Sequence, residues 1–234
     1  ESESEALANK WLTAHEAAIK GLTDERQDVY RELRELSADP LDVKLAMPKN
    51  RLQPTVELHE DGTEIPLPRF DRHLLCDADG KYPDVLNTWE AKVLEAEMSA
   101  ETALAWYRNP SSAKPESMGI VYYEDGQANI LRPDFIFFSQ GPDGTVQANL
   151  VDPHGQYLAD SLPKLLGLKE FTKRHGGVFD RIEAVAKTET GDFKLLDLKD
   201  ATIRAAISEA TSAKSLFEGA HAISYPTHSV KRKA

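Results

Sequence analysis

Two carboxylates and an imidazole stand at the ends of two neighbouring apolar runs, in a spacing that could support metal chemistry. Asp134 lies just inside the first run, Asp152 ends the second, and His154 follows two residues later. Both runs are rich in β-branched and aromatic residues and flank a Gly-Pro-Asp-Gly turn, so residues 130–157 predict a β-hairpin. A hairpin can bring such positions side by side, and two carboxylates with a nitrogen base can bind a divalent metal ion. Pro-Asp and Asp-Pro pairs also occur at strand ends for structural reasons, because aspartate favours turns.

Helices are predicted before and after the hairpin, and each carries a residue that could reach its acids. Asn87 and Glu90 have the spacing of a capping box, and an apolar stripe predicts a helix from Asn87 to near Tyr107. Glu90 is therefore either a cap residue or a carboxylate aimed at the hairpin. Residues 161–173 predict a second helix, with leucines toward the core and Lys164 on its other face. The remaining predicted elements are strands at 118–123, 179–186 and 193–198, and a last helix at 200–210 that 213–219 could extend.

The chain divides into four predicted segments. Charge-rich residues with helical apolar spacing predict a helical arm or linker over 1–40. Residues 41–86 predict an irregular β extension with strands at 43–47 and 55–58. Residues 87–225 form the predicted core, and 226–234 form a basic, disordered tail. Because the sequence begins at Glu1 without a methionine, we expect it to be a piece of a longer protein.

Composition restricts the class of protein. The 234 residues, 41% of them hydrophobic, are enough for one domain with an appendage. The single cysteine, Cys76, excludes an internal disulfide and a cysteine-based metal cluster, and no apolar run approaches the ~20 residues that span a bilayer. We therefore expect a cytoplasmic protein without membrane contacts. The net charge of −11 argues against broad nonspecific nucleic-acid binding but leaves room for a local basic groove.

The order of these elements resembles the core of the PD-(D/E)xK nucleases. The version it looks like is the C-terminal endonuclease region of type III restriction enzymes and related DEAD/DEAH-type helicase–nuclease proteins. The resemblance covers roughly residues 85 to 200. It rests on four short motifs: Trp89-Glu90, Trp106-Tyr-Arg-Asn-Pro110, Pro133-Asp134-Phe135 and Val151-Asp-Pro-His-Gly155. The resemblance implies an α/β (α+β) fold with a restriction-endonuclease-like core, a central mixed sheet flanked by helices. Helicase motifs are absent from the sequence, so the chain would correspond to the part after the motor.

The resemblance also implies a metal site. In that family a helix glutamate, the aspartate after proline and an acid on the next strand hold Mg²⁺. The matching positions in this sequence are Glu90, Asp134 and Asp152. These three residues are therefore the implied ligands of Mg²⁺ or Mn²⁺, whose charge favours the ionised carboxylates.

The family's catalytic lysine has no direct counterpart. His154 occupies the lysine position, where a histidine can act as a base or a ligand but supplies no fixed positive charge. Lys164, on the following helix, could take the lysine's part. Asp160, four residues earlier, could orient Lys164 or pair with it.

The implied function is a Mg²⁺-dependent DNA endonuclease domain of a restriction or phage-defence helicase–nuclease. DNA would be its substrate, and a helicase/ATPase motor in the same longer polypeptide would be its partner. The alternative is a catalytically decayed nuclease-fold module that binds DNA or docks on a helicase motor. The sequence lacks the motifs of two other classes of hydrolase, the metallophosphoesterases and the Gly-x-Ser-x-Gly hydrolases. Five basic residues are candidates for phosphate contacts or are ordinary solvated charges: Arg108, Arg132, Lys169, Lys173 and Arg174.

Overall fold

The computed structural model describes residues 18–23, 26, 27, 29, 54–112, 116–153, 155 and 160–225. Three predictions fall wholly or mostly outside these residues: the helical arm over 1–40, the strand at 43–47 and the basic tail at 226–234. His154 also lies outside them. Within the arm, residues 18–20, 26, 27 and 29 are helical.

Twelve strands and four helices have defined bounds in the described residues. The strands are β1 (Val56–Leu58), β2 (Glu64–Pro66), β3 (Arg69–Asp71), β4 (Lys81–Pro83), β5 (Ala103–Arg108), β6 (Ile120–Glu124), β7 (Gln127–Leu131), β8 (Phe135–Gln140), β9 (Val146–Pro153), β10 (Arg181–Lys187), β11 (Phe193–Asp197) and β12 (Ile223–Ser224). The helices are α1 (Thr88–Met98), α2 (Ser161–His175), α3 (Ala201–Glu209) and α4 (Ala213–Glu218). Across the described residues, no helix combines the length and the apolar character needed to cross a membrane.

Six of the strands form one mixed sheet in the order β12-β11-β10-β9-β8-β5. β10 runs parallel to β9, and every other neighbouring pair in this sheet is antiparallel. The parallel pair requires a crossover connection, which contains α2. α1 packs on one face of the sheet, and α2, α3 and α4 pack on the other. The predicted α/β (α+β) class, a central mixed sheet flanked by helices, is confirmed.

The predicted hairpin is confirmed by the pairing of β8 with β9, which places Phe135 opposite Val151. Gly144 in the Gly-Pro-Asp-Gly turn has a φ of +81°, a conformation that glycine adopts without steric cost. The hairpin is shorter than predicted, because residues 130 and 131 belong to β7. β7 pairs with β6 in a separate ribbon, as β1 does with β2 and β3 with β4.

The helix predicted to reach Tyr107 is shorter, because α1 ends at Met98 and Ala103–Arg108 form β5. β5 pairs with β8. Its Trp106 and Tyr107 are buried in separate clusters on opposite faces of the sheet. A strand buried on both faces shows no apolar alternation, so the apolar spacing of this run did not distinguish it from a continuing helix.

The strand predicted at 118–123 lies outside the central sheet. It forms β6, and the β6–β7 ribbon packs on α2. The contact is tight, since a Cβ atom at Gly167 of α2 would lie 2.5 Å from the Tyr122 Cβ. The third strand beside the hairpin is therefore β5 rather than β6. Residues 213–218 form the separate helix α4, which begins at the cap residue Ser212, instead of extending α3.

Candidate active site

Two of the predicted acids meet where β8 begins and β9 ends. Phe135 lies opposite Val151, so Asp134 and Asp152 are the next pair beyond the ladder. The Asp134 N–H donates a hydrogen bond to Asp152 Oδ1 at 3.1 Å. Asp152 is only 2% exposed. Because a buried carboxylate is costly unless it is hydrogen-bonded, this main-chain contact stabilises the buried side chain of Asp152.

Glu90 reaches the site from the first turn of α1. Its Oε2 accepts from the Asn87 N–H at 2.9 Å, while Asn87 Oδ1 accepts from the N–H groups of Trp89 and Glu90. Its Oε1 accepts from Arg108 Nη2 at 2.9 Å. The capping interpretation of Glu90 is confirmed, and its other carboxylate oxygen pairs with Arg108 at the end of β5.

Arg108, the last residue of β5, lies between two of the implied metal ligands. Its Nη2 is 2.9 Å from Glu90 Oε1 and 3.2 Å from Asp134 Oδ1. The guanidinium lies over the Phe135 ring, with its carbon 4.8 Å from the ring centroid. Its Nη1 is buried and has no hydrogen-bond partner within the described part of the chain. The sequence offers Arg108 as a phosphate contact or as an ordinary solvated charge, but the structure places this cation beside two of the acids.

His73, in the loop after β3, fixes the main chain of Arg108. Its Nε2 accepts from the Arg108 N–H at 3.0 Å. The imidazole stacks on Tyr82 with ring centroids 3.5 Å apart and meets Trp106 edge-on at 4.6 Å. The residue is buried. Sequence reasoning missed His73, because it lies outside every predicted strand and helix and its contact with Arg108 is made 35 positions away in the chain.

Lys164 brings a second cation to the site from α2. Its Nζ is 2.5 Å from Asp160 Oδ2, the pairing that their four-residue spacing predicts. Burial lowers the pKa of Lys164, but Asp160, Tyr122 and Asp152 together raise it above its ordinary value. Burial also raises the pKa of the Tyr122 hydroxyl. Lys164 is therefore held protonated, within electrostatic reach of Asp152.

The implied ligands form two groups rather than one. Glu90 and Asp134 share Arg108, on the α1 side of the sheet. Asp152 follows Leu150 by two residues on β9 and so faces the α2 side, where Leu150 packs. Among the described residues, no three His, Cys, Asp or Glu side chains lie close enough together to hold a metal ion. The two groups meet at the main chain of Asp134.

The donor set fits a hard divalent cation in type, because Mg²⁺ and Mn²⁺ prefer carboxylate oxygens. In location, only two of the three implied ligands converge. Glu90 and Asp134 already converge on a cation, the Arg108 guanidinium, and Asp152 lies beside the Asp134 main chain.

The other basic residues predicted to contact phosphate are scattered. Lys169 is 7% exposed, and its Nζ lies 3.0 Å from Ser208 Oγ, so it ties α2 to α3. Lys173 and Arg174 are exposed in the last turn of α2. Arg132 is half-buried just before β8. Of these four, Lys173 and Arg174 have the exposure that a phosphate contact requires.

A buried ionic cluster near the C-terminal end of α1 was not predicted. Arg181 of β10 lies between two carboxylates, with Nη2 2.5 Å from Glu97 Oε2 and Nη1 3.0 Å from Glu183 Oε2. The Tyr225 hydroxyl donates to Glu97 Oε1 at 2.7 Å. Burial raises the pKa of Glu183 to about 7 and also raises that of Tyr225. Burial opposes the charge of Arg181, but Glu97 and Glu183 outweigh it and raise the pKa of the guanidinium.

Comparisons with known proteins identify the family of the chain. A model of the YagJ family matches residues 71–226, a span that includes the central sheet and every site residue discussed above. Protein YagJ of Escherichia coli strain K12 is 42% identical over 225 residues, which cover 96% of this chain and 91% of that relative. No solved structure matches the chain significantly. The chain belongs to the YagJ family.

Proposed function

We propose that this protein is a divalent-metal-dependent deoxyribonuclease that hydrolyses phosphodiester bonds. The observation that carries the proposal is the hydrogen bond from the Asp134 N–H to Asp152 at 3.1 Å, at the end of the sheet where α1 delivers Glu90. The order of elements supports it as well. If the separate β6–β7 ribbon is left aside, the chain from α1 to β10 runs helix, three strands of the central sheet (β5, β8 and β9), helix and strand. This order resembles that of the PD-(D/E)xK nucleases.

Glu90, Asp134 and Asp152 are the residues that would hold Mg²⁺ or Mn²⁺. When bound, the ion supplies positive charge that stabilises the reacting phosphate and activates the attacking water. Lys164 supplies a fixed positive charge near Asp152, and Asp160 holds that lysine in place. Its position supports the idea that Lys164 takes the part of the family's lysine.

The substrate and partners follow from the same proposal. DNA would be the substrate, with Lys173 and Arg174 as exposed phosphate contacts. The net charge of −11 gives the domain little general attraction for DNA, so a helicase/ATPase motor in the same polypeptide would bring the substrate to it. The setting would be restriction or phage defence in the cytoplasm.

Cleavage of supercoiled and linear DNA tests the proposal, with Mg²⁺, Mn²⁺ or EDTA present. The variants are Asp134→Asn and Asp152→Asn, because asparagine retains the Oδ1 acceptor that the hydrogen bond at Asp152 uses. We expect metal-dependent cleavage that falls by about a hundredfold or more in each variant, a loss of about 2.7 kcal/mol in transition-state stabilisation. Asp180→Asn, at an exposed aspartate before β10, is the matched control. Metal-dependent cleavage that survives in both site variants would refute the assignment.

A second candidate function is a nuclease-fold module that binds DNA, or docks on a helicase motor, without hydrolysis. It is favoured by Arg108, which neutralises Glu90 and Asp134 without any metal ion, and by His154 at the lysine position. DNA binding that is insensitive to EDTA and to Asp134→Asn, together with no cleavage under any condition, would support this module over the nuclease.

A further inference from the structure

We propose that a cleft at the C-terminal end of α1 binds a small organic cation, with the ammonium group of the ligand near the carboxylates of the cleft and its hydrocarbon part against apolar side chains. The cleft lies at the opposite end of β8 from Asp134. The proposal is therefore independent of the proposed nuclease site and gives the protein a second site.

The cleft is large enough for a small molecule. Its volume is about 310 Å³, which is at the lower end of the range for ligand sites and is roughly that of ten water molecules. Its walls come from the end of α1, the loop before β5, the β8–β9 hairpin and the start of β10. The apolar part of the lining would contact the hydrocarbon part of a ligand and consists of Met98, Ala100, Ala103, Phe137, Phe138 and Pro142.

Buried polar groups also line the cleft. Asn149 is 1% exposed and Glu97 is 7% exposed. Arg181 joins them, since its Nε donates to Asn149 Oδ1 at 3.2 Å and its Nη2 lies 2.5 Å from Glu97 Oε2. A buried ion pair adds little to stability, because the loss of water offsets the attraction between the charges. A buried ionic cluster that lines a cleft is therefore a candidate for binding as well as for stability.

The charges around the cleft favour a cation over an anion. Glu97 and the exposed Asp180 line it, and Arg181 is the one cation among its described lining residues. Glu97 and Glu183 already share the guanidinium of Arg181, so little of its charge remains for an anion. Arg72 binds main-chain oxygens near the end of α1 but does not line the cleft. A phosphate group would be repelled here, while an ammonium group would be attracted.

Ionisation of Glu183 should strengthen this preference. Burial raises its pKa to about 7, so the side chain gains its negative charge around neutral pH. The charged and titratable groups around it are Glu97 of α1, Arg181 of β10, Asp197 of β11 and Tyr225 after β12. Ionised Glu183 adds a negative charge next to Arg181, so a cation in the cleft should bind more tightly as the pH rises through 7.

An NMR titration of the full chain tests the proposal with three probes that share one aromatic body. Phenethylamine is the cation, phenethyl alcohol is the neutral control, and phenylacetate is the anion. We expect phenethylamine to shift the amide signals of Ala100, Ala103 and Ser139 in a saturable way. It should bind about fivefold more tightly than the alcohol, the effect of one partly exposed ion pair, and phenylacetate should bind most weakly. Equal affinity for the three probes, or no saturable shift at the cleft with phenethylamine, would overturn the proposal.

Asp180→Asn tests the contribution of one carboxylate without touching the buried cluster. It should weaken phenethylamine binding about threefold and leave the affinity for the alcohol unchanged. Glu57→Gln, at an exposed acid on β1, is the matched control and should bind both probes as wild type does. An equal loss of affinity for amine and alcohol in Asp180→Asn would contradict the role of its charge.

A comparison of pH 6 with pH 8 tests the link to the buried cluster. Phenethylamine, like the lysine ammonium group, stays protonated at both pH values. Its affinity for wild type should rise about threefold, the effect of one added charge several ångströms away under strong solvent screening. Glu183→Gln should bind the amine equally well at both pH values. An affinity of wild type that does not change with pH would refute the placement of the ammonium group near the buried carboxylates.

Discussion

Glu183 is expected to make the stability of this protein depend on pH near neutrality. Its side chain is 8% exposed, and it shares the guanidinium of Arg181 with Glu97. Burial raises its pKa to about 7, against an ordinary value of 4.5, because Arg181 only partly offsets the loss of water and Glu97 adds repulsion. The folded protein therefore retains a proton that the unfolded chain releases between these two pH values.

The sign follows from which state binds the proton. Between pH 4.5 and about 7 the folded state holds more protons than the unfolded state, so the free energy of unfolding falls as the pH rises. Below this pH window the stabilising contribution of the proton on Glu183 is fully present, and above the window it is lost. For this shift, the free energy of unfolding should fall by about 2 to 3 kcal/mol between pH 5 and pH 8 through Glu183 alone.

Urea unfolding at pH 5, 6, 7 and 8 measures this effect when wild type is compared with Glu183→Gln. The glutamine keeps an oxygen for Arg181 but does not titrate. The free energy of unfolding of the variant, relative to that of wild type, should therefore rise by about 2 to 3 kcal/mol from pH 5 to pH 8. Glu57→Gln, at an exposed position on β1, is the control, and its free energy of unfolding should change with pH as that of wild type does. Parallel curves for Glu183→Gln and wild type would refute the reasoning, because they would show that Glu183 has the same pKa in the folded and unfolded states.

Two further changes test the packing and the ionic cluster by calorimetric unfolding. Gly167→Ala should destabilise the protein by about 1–3 kcal/mol, because the new Cβ would lie 2.5 Å from the Tyr122 Cβ. Gly177→Ala is the control, since nothing lies within 4 Å of a Cβ at that position. Equal losses of stability in the two variants would contradict the tight contact with Tyr122. Arg181→Met should lower the free energy of unfolding by about 3–5 kcal/mol at pH 8, because it leaves buried carboxylates without their cation. A loss of stability no larger than that caused by Arg174→Met, at an exposed arginine, would show that the ionic cluster contributes little.

Local signals in the sequence determined the elements that carry the acids. The Gly-Pro-Asp-Gly turn between two apolar runs specifies β8 and β9, and Asn87 with Glu90 specifies the start of α1. The contact between Asp134 and Asp152 follows from the hairpin, because turn length and register fix which residues lie side by side. Such signals act over a few residues and can be recognised without the rest of the fold.

Only the tertiary structure decided how the surrounding charges are arranged. Ala103–Arg108 continue the apolar spacing of α1, and they form a strand because β8 offers them a partner. That pairing carries Arg108 to a point between Glu90 and Asp134, which no local pattern indicates. Glu97 and Arg181, which form an ion pair, are 84 positions apart in the chain. Charges so distant neutralise each other only after folding has brought them together. The sequence therefore shows the acids and the local pair of Asp160 with Lys164, while the tertiary structure alone brings Arg108 and Arg181 to the carboxylates that they neutralise.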